Sequence, residues 1–82
     1  MAQIDWHQKG HDYAYSWTPD SKLPEFPDDT AKQQFTDGYK TGWWERGSDD
    51  ARNGRKMEKF PNRCAAINYV DGYSDEAGDW ED

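Results

Sequence analysis

Branched aliphatic side chains are almost missing from this chain: Ile4, Leu23, Ile67 and Val70 are the entire Ile/Leu/Val set of its 82 residues. Aromatic residues outnumber them, with five Trp, five Tyr and three Phe. A core of ordinary Leu/Ile/Val packing is therefore excluded. Charged residues make up 33% and mean hydropathy is −1.39, values that would suit a disordered chain if the rings were absent. Each ring can bury a large area. The expected object is one small domain, residues 1–82, cemented by rings and stable by a modest margin.

The N-terminal third holds Pro19, Pro24 and Pro27 with many aromatics but no helical period. It reads as an extended arm over 1–29, laying Trp6, Tyr13, Tyr15, Trp17 and Phe26 across the helices. The alternation Tyr13-Ala14-Tyr15-Ser16-Trp17 also suits a short strand that Pro19 would end. Pro27-Asp28-Asp29-Thr30 then starts a helix, with Thr30 and Gln33 as a capping box. Phe35, Tyr39 and Trp43 recur every fourth residue and line its core face. Gly38 and Gly42 sit beside that stripe. Each costs about 1 kcal/mol against alanine in a helix interior, which points to a close backbone approach. Trp44 lies about 100° from Trp43 on the wheel and leaves the core face. Gly47-Ser48-Asp49-Asp50 is a place for a kink or restart, and Gly54 is a C-terminal stop. Pro61-Asn62 opens a second helix with Asn62 as N-cap. Its expected buried face is Ala66, Val70, Tyr73 and Ala77, with Asn68, Asp71 and Asp75 opposite. The fold class expected is all-α: helices near 30–53 and 62–77 forming a pair over 30–78, crossed by the arm and followed by an acidic tail at 79–82. Phe35-Thr-Asp-Gly-Tyr39 is echoed by Tyr69-Val-Asp-Gly-Tyr73, two notches that could cross each other, though five positions are too few to count as a repeat.

From Gly47 to Tyr73 the order is helix end, charged connector and helix start. Gly47, Ala51, Gly54, Arg55 and Pro61, then Tyr69, Gly72 and Tyr73, resemble ribosome modulation factor and its phage and prophage relatives. The resemblance implies two short helices joined by a linker, and ribosome or ribosomal RNA binding.

Charge is uneven along the chain. Residues 1–30 carry −4, residues 31–54 are balanced, residues 55–63 carry +3, and residues 64–82 carry six acids and no base. The acidic ends suit a basic protein surface, such as a groove that normally holds nucleic acid. Candidate contacts are Asp71, Asp75, Glu76, Asp79, Trp80 and Glu81, with Trp44, Asp49 and Asp50. The basic linker Arg55, Lys56, Lys59 and Arg63 suits RNA phosphates instead. Either cluster also reads as a solvated face that only keeps the chain soluble.

Chemistry is sparse. His7 and His11 stand four apart with Asp12 adjacent, but no second Cys or His cluster completes a metal site. Cys64 lacks a local nucleophile signature, and it has no second cysteine to pair with. Asp28-Asp29 and Asp49-Asp50 read as caps rather than as an acid and base. No glycine-rich phosphate loop ends in Lys-Ser/Thr. The expectation is therefore a non-enzymatic protein with no cofactor, no metal and no small-molecule substrate. It would be a phage-type cytoplasmic protein, free of membranes, that docks onto a host nucleic-acid-handling machine and inhibits it by nucleic-acid mimicry. Anti-CRISPR and anti-restriction proteins would be examples. The alternative is ribosome binding through residues 55–63.

Overall fold

A computed structural model of the chain describes residues 4–77, and among them the secondary structure is helical throughout. There are three helices: α1 (Trp6–Tyr15), α2 (Asp29–Arg52) and α3 (Arg63–Ala77). The all-α class stands, with one correction. The expected arm contains a ten-residue helix, capped by Asp5, whose carboxylate accepts from the Gln8 N–H at 3.0 Å. Periodicity missed α1 because the residues it buries fully are small, Gly10 and Ala14.

Helix α2 is the central element, 24 residues and about 36 Å long. Asp28 starts it, accepting from the Ala31 N–H at 2.8 Å, so the cap is Asp28 rather than Thr30. The helix runs through Gly47-Ser48-Asp49-Asp50 without a break and ends at Arg52, followed by Gly54 at φ 71°. Asn62 caps α3, accepting from the Ala65 N–H at 2.8 Å. Phe35, Tyr39 and Trp43 are buried, as their spacing predicts.

All three helices run in the same direction. His11 meets Glu45 and Tyr15 meets Asp49, each pair 34 residues apart, so contacts advance together along α1 and α2. Tyr39 meets Asn62 and Ser48 meets Glu76 in the same sense along α2 and α3. Glycine makes both crossings possible. At α1–α2, Gly10 lies against the Phe35 carbonyl and Gly38 against the His7 carbonyl. At α2–α3, Gly47 lies against the Tyr69 carbonyl and Gly72 against the Trp44 carbonyl. Each glycine thus faces the residue three before its partner's glycine. A β-carbon at any of the four would overlap backbone atoms that cannot swing aside. Gly38 and Gly47 are nine residues apart, about two and a half turns, so α2 carries its neighbours on opposite faces.

The five-position echo belongs to a longer internal repeat. Residues 26–39, FPDDTAKQQFTDGY, align with residues 60–73, FPNRCAAINYVDGY, at an offset of 34, with Phe, Pro, Ala, Asp, Gly and Tyr shared. Residues 6–15 align with 43–52 at an offset of 37, sharing Trp, Gly, Asp and Ala. The structure repeats with the sequence. Trp6–Phe26 ring centroids are 5.5 Å apart and Trp43–Phe60 5.7 Å. Phe26–Phe35 and Phe60–Tyr69 are both 5.0 Å apart. Phe35–Tyr39 stack at 6.2 Å and Tyr69–Tyr73 at 6.1 Å. The protein is therefore a helix–connector–helix unit present twice, the second helix of one copy fused to the first helix of the next inside α2. The two Asp-Gly-Tyr notches do not cross each other; each crosses the first helix of its own unit.

This plan overturns the expected face of α3. Its buried residues are Ala65, Tyr69 and Gly72, one position away from Ala66, Val70 and Tyr73, while Ala77's side chain lies outside the described residues. Packing follows the glycine, and the aliphatic residues face outward.

Candidate functional site

Each of the four branched aliphatic residues is exposed: Ile4 by 53%, Leu23 by 63%, Ile67 by 54% and Val70 by 49%. The core takes none of them; it is made of Ala14, Trp17, Phe35, Tyr39, Trp43, Ala65 and Tyr69. Ile67 and Val70 are three apart on α3 and share its outward side. With Ala66, Asp71 and Ser74 they line a shallow depression of about 400 Å³. Asp71 at its border and Asp75 one turn further on are exposed, and neither forms an ion pair among the described residues. After Arg63, α3 contains no base. The result is an apolar strip edged by free carboxylates.

The other expected acidic contacts divide. Asp49 accepts from the Tyr15 hydroxyl and pairs with Arg52 at 3.2 Å. Asp50 accepts from the Tyr69 hydroxyl at 2.6 Å. Glu76 accepts from Ser48 at 3.2 Å and pairs with Arg52 at 3.5 Å. These three carboxylates hold helices together, and neither Asp49 nor Asp50 caps a helix. Trp44 is 37% exposed beside the α2–α3 crossing. Asp79, Trp80 and Glu81, with the rest of the 79–82 tail, lie outside the described residues.

Burial and the Asp50 carboxylate push the Tyr69 hydroxyl up to about 12, with the Met57 N–H, donating at 2.8 Å, acting in the opposite direction. Tyr69 is thus a neutral structural donor. The Tyr15 hydroxyl is raised chiefly by its bond to Asp49. On α1, His11 is raised above its ordinary range because Glu45 Oε1 stands 2.8 Å from Nε2; burial opposes this, and Asp12 adds to it. His7 and His11 do fall one turn apart on a helix. Among the described residues, however, no group of three or more His, Cys, Asp or Glu is placed to hold a metal ion.

The linker places Arg55, Lys56, Lys59 and Arg63 in solvent, none ion-paired among the described residues. Lys56 Nζ rests 5.8 Å over the Tyr73 ring. Arg55 and Lys56 border an open cleft of about 790 Å³, with Tyr15, Asp49, Asp50 and Met57 on its other sides. Arg46 and Arg52 line it too, so its bases outnumber its two carboxylates. Arg46 is held in place by its own bonds, its Nη1 donating to the Ala14 and Trp17 carbonyls at 3.0 and 2.9 Å, with its guanidinium 5.2 Å from the Trp43 ring centroid.

A third feature was not expected from the sequence. An apolar groove of about 370 Å³ runs between the first connector and the start of α3, lined by Tyr13, Leu23, Phe26, Phe35, Pro61 and Cys64 among others. The duplicated Phe-Pro signal marks it, since Phe26 of the first pair and Pro61 of the second both line it. No helix among the described residues is long and apolar enough to cross a membrane. Comparison with known proteins found no matching family model, no similar curated protein and no similar solved structure.

Proposed function

We propose that this chain is a non-enzymatic interaction protein whose outward α3 face docks onto a basic protein surface. The observation that carries the reading is the placement of Ile67 and Val70 in solvent beside unpaired Asp71 and Asp75, in a chain with so few aliphatics. Apolar strips rimmed by charge mark protein contacts, and carboxylates select and steer a cationic partner. Trp44 is a further anchor of the kind such interfaces favour. A groove that normally holds nucleic acid has the required charge. The action is therefore inhibition of a host nucleic-acid-handling machine, of which anti-CRISPR and anti-restriction inhibitors are examples, by a phage-type protein. Affinity capture from host lysate at low and high salt tests it. Capture should fall steeply with salt and with Asp71→Asn/Asp75→Asn, and duplex DNA or RNA should displace the captured protein. Capture indifferent to salt and to both substitutions overturns the reading.

A second reading is favoured by one observation: Arg55, Lys56, Lys59 and Arg63 are all exposed without a described carboxylate partner. Through them the chain would bind ribosomal RNA, as the ribosome modulation factor resemblance implies. Replacing the four by Gln and measuring ribosome co-sedimentation decides it, since unchanged sedimentation removes this reading.

A further inference from the structure

The duplication sets a helix start beside Lys32, Thr36 and Tyr39 in one copy of the unit and sets nothing beside the matching residues of the other among the described residues. In the first copy the start of α3 lies beside α2. Asn62 Nδ2 donates to the Tyr39 hydroxyl at 3.2 Å, and Pro61, Asn62 and Cys64 face Lys32, Thr36 and Tyr39 across the apolar groove. An offset of 34 carries Lys32, Gln33 and Thr36 to Ala66, Ile67 and Val70, and Asp37 and Lys40 to Asp71 and Ser74. The latter five line the depression on α3, which is walled by α3 alone.

The side chains have changed in one direction. Lys32 and Thr36, which border the groove, correspond to Ala66 and Val70, and the exposed Gln33 beside them to Ile67. Ile and Val are poorer helix formers than Lys or Gln, so helix stability does not account for them on an exposed face. Occupancy by another chain does, because it would withdraw Val70 from water at the position of Thr36, with Ile67 at the edge of the contact. Asp71 and Asp75 set the sign of the occupant. The matching helix start of a second copy is Pro27-Asp28-Asp29, which would bring two carboxylates to two others, so like charge opposes self-docking. Pro61-Asn62-Arg63, the start that covers α2, carries a base.

Resting on the reading of α3 as the docking face, we infer that this face receives the first turn of a helix from a partner protein. That turn carries a basic residue beside a side-chain amide, and it is presented to α3 as Pro61-Asn62-Arg63-Cys64 is presented to α2. The amide would reach the Tyr73 hydroxyl as Asn62 reaches Tyr39.

The probe is a synthetic peptide of this chain's own residues 58–69 carrying Cys64→Ser, titrated into the ¹⁵N-labelled full chain. Amide shifts should centre on Ala66, Ile67, Val70, Asp71 and Tyr73. The triple variant Ala66→Lys/Ile67→Lys/Val70→Lys sets like charge against the peptide's Lys59 and Arg63 at three outward positions of α3, so its helix should stay folded while the shifts disappear. A peptide with Arg63→Glu should bind about tenfold more weakly. No shift at α3 with peptide in the millimolar range, or shifts unchanged in the triple variant, overturns the inference. Self-association of the wild-type chain that the triple variant abolishes also overturns it, assigning the face to a second copy. If the Asp71→Asn/Asp75→Asn effect on capture stands while the peptide fails, only the helix-start occupant falls.

Discussion

At the α1–α2 crossing Tyr13 lays its ring 5.6 Å from Phe35, whereas at α2–α3 the matching positions hold Asp50 and Tyr69, joined by a hydrogen bond of 2.6 Å. The backbone arrangement is the same in both. Each crossing has a reciprocal pair of glycines against carbonyls, a Trp–Phe contact, a Phe-Pro connector end and an Asp or Asn cap. Geometry here resides in backbone contact and capping, and side chains between the helices can exchange a ring pair for a hydrogen-bonded pair. The crossings also differ in depth. Trp43 is fully buried and touches Trp17, Tyr39, Phe60 and Tyr69, joining the two units, whereas its counterpart Trp6 is half-buried at one end.

That contrast predicts the largest effect. Trp43→Ala should cost about 3–5 kcal/mol in urea unfolding, and Trp6→Ala about 1–2 kcal/mol for a ring only partly withdrawn from water; equal costs would mean that the units are not joined at Trp43. Next come the notches. Alanine is the better helix former by about 1 kcal/mol, yet Gly47→Ala and Gly72→Ala should each destabilise by about 3 kcal/mol, because the added methyl meets a carbonyl. Gly10→Ala and Gly38→Ala should do the same to α1, read by hydrogen exchange of its amides. Any of the four that stabilises the chain would break the close-contact account.

Tyr69→Phe restores the first copy's ring but leaves Asp50 and the Met57 N–H without their partner, at about 2 kcal/mol. Adding Asp50→Tyr rebuilds the first copy's pair and should recover part of that loss. In the wild-type chain the neutral Tyr69 hydroxyl contributes fully below its unfolded value near 10, and this contribution is lost as pH rises through about 12. The Phe variant should lack that alkaline dependence. The two caps come next: Asp28→Ala and Asn62→Ala should each cost about 1 kcal/mol, while Asn62→Asp, the first copy's residue, should be nearly silent in thermal melts. The smallest effect belongs to His11. Its pKa is raised on folding, so its contribution is complete below the ordinary histidine value and fades as pH climbs through the higher folded one. His11→Ser, the second copy's residue, should flatten this dependence, worth below about 1 kcal/mol because both carboxylate partners are exposed.

Signals that act within a few residues were readable along the chain. Pro61-Asn62, Gly54 and the Phe35/Tyr39/Trp43 stripe each announce themselves by cap chemistry or four-residue spacing. Helix α1 was not readable in that way, because hydrophobic periodicity weighs large side chains while α1 buries Gly10 and Ala14. The face of α3 was misplaced by one residue for the same reason: its apolar bulk lies at Ile67 and Val70, but its contact with α2 lies at Gly72. The repeat was visible as five positions, and the flanking Phe-Pro and Trp-x-x-x-Gly pairs extend it once the two crossings are seen to match. In the candidate site, the exposure of Asp71, Asp75 and Trp44 followed from the helical wheel. The engagement of Asp50, Glu76 and Asp49 did not, since their partners Tyr69, Ser48 and Tyr15 are 19, 28 and 34 residues away.

By itself, then, the chain's order of residues determined a ring-based core, the end of α2 and the start of α3, because each depends on residue type and short-range spacing. Only the tertiary structure decided which carboxylates are spent between helices and which remain free on α3. It also decided that glycine rather than aliphatic bulk chooses the buried face, because two backbones can touch only where no β-carbon stands between them.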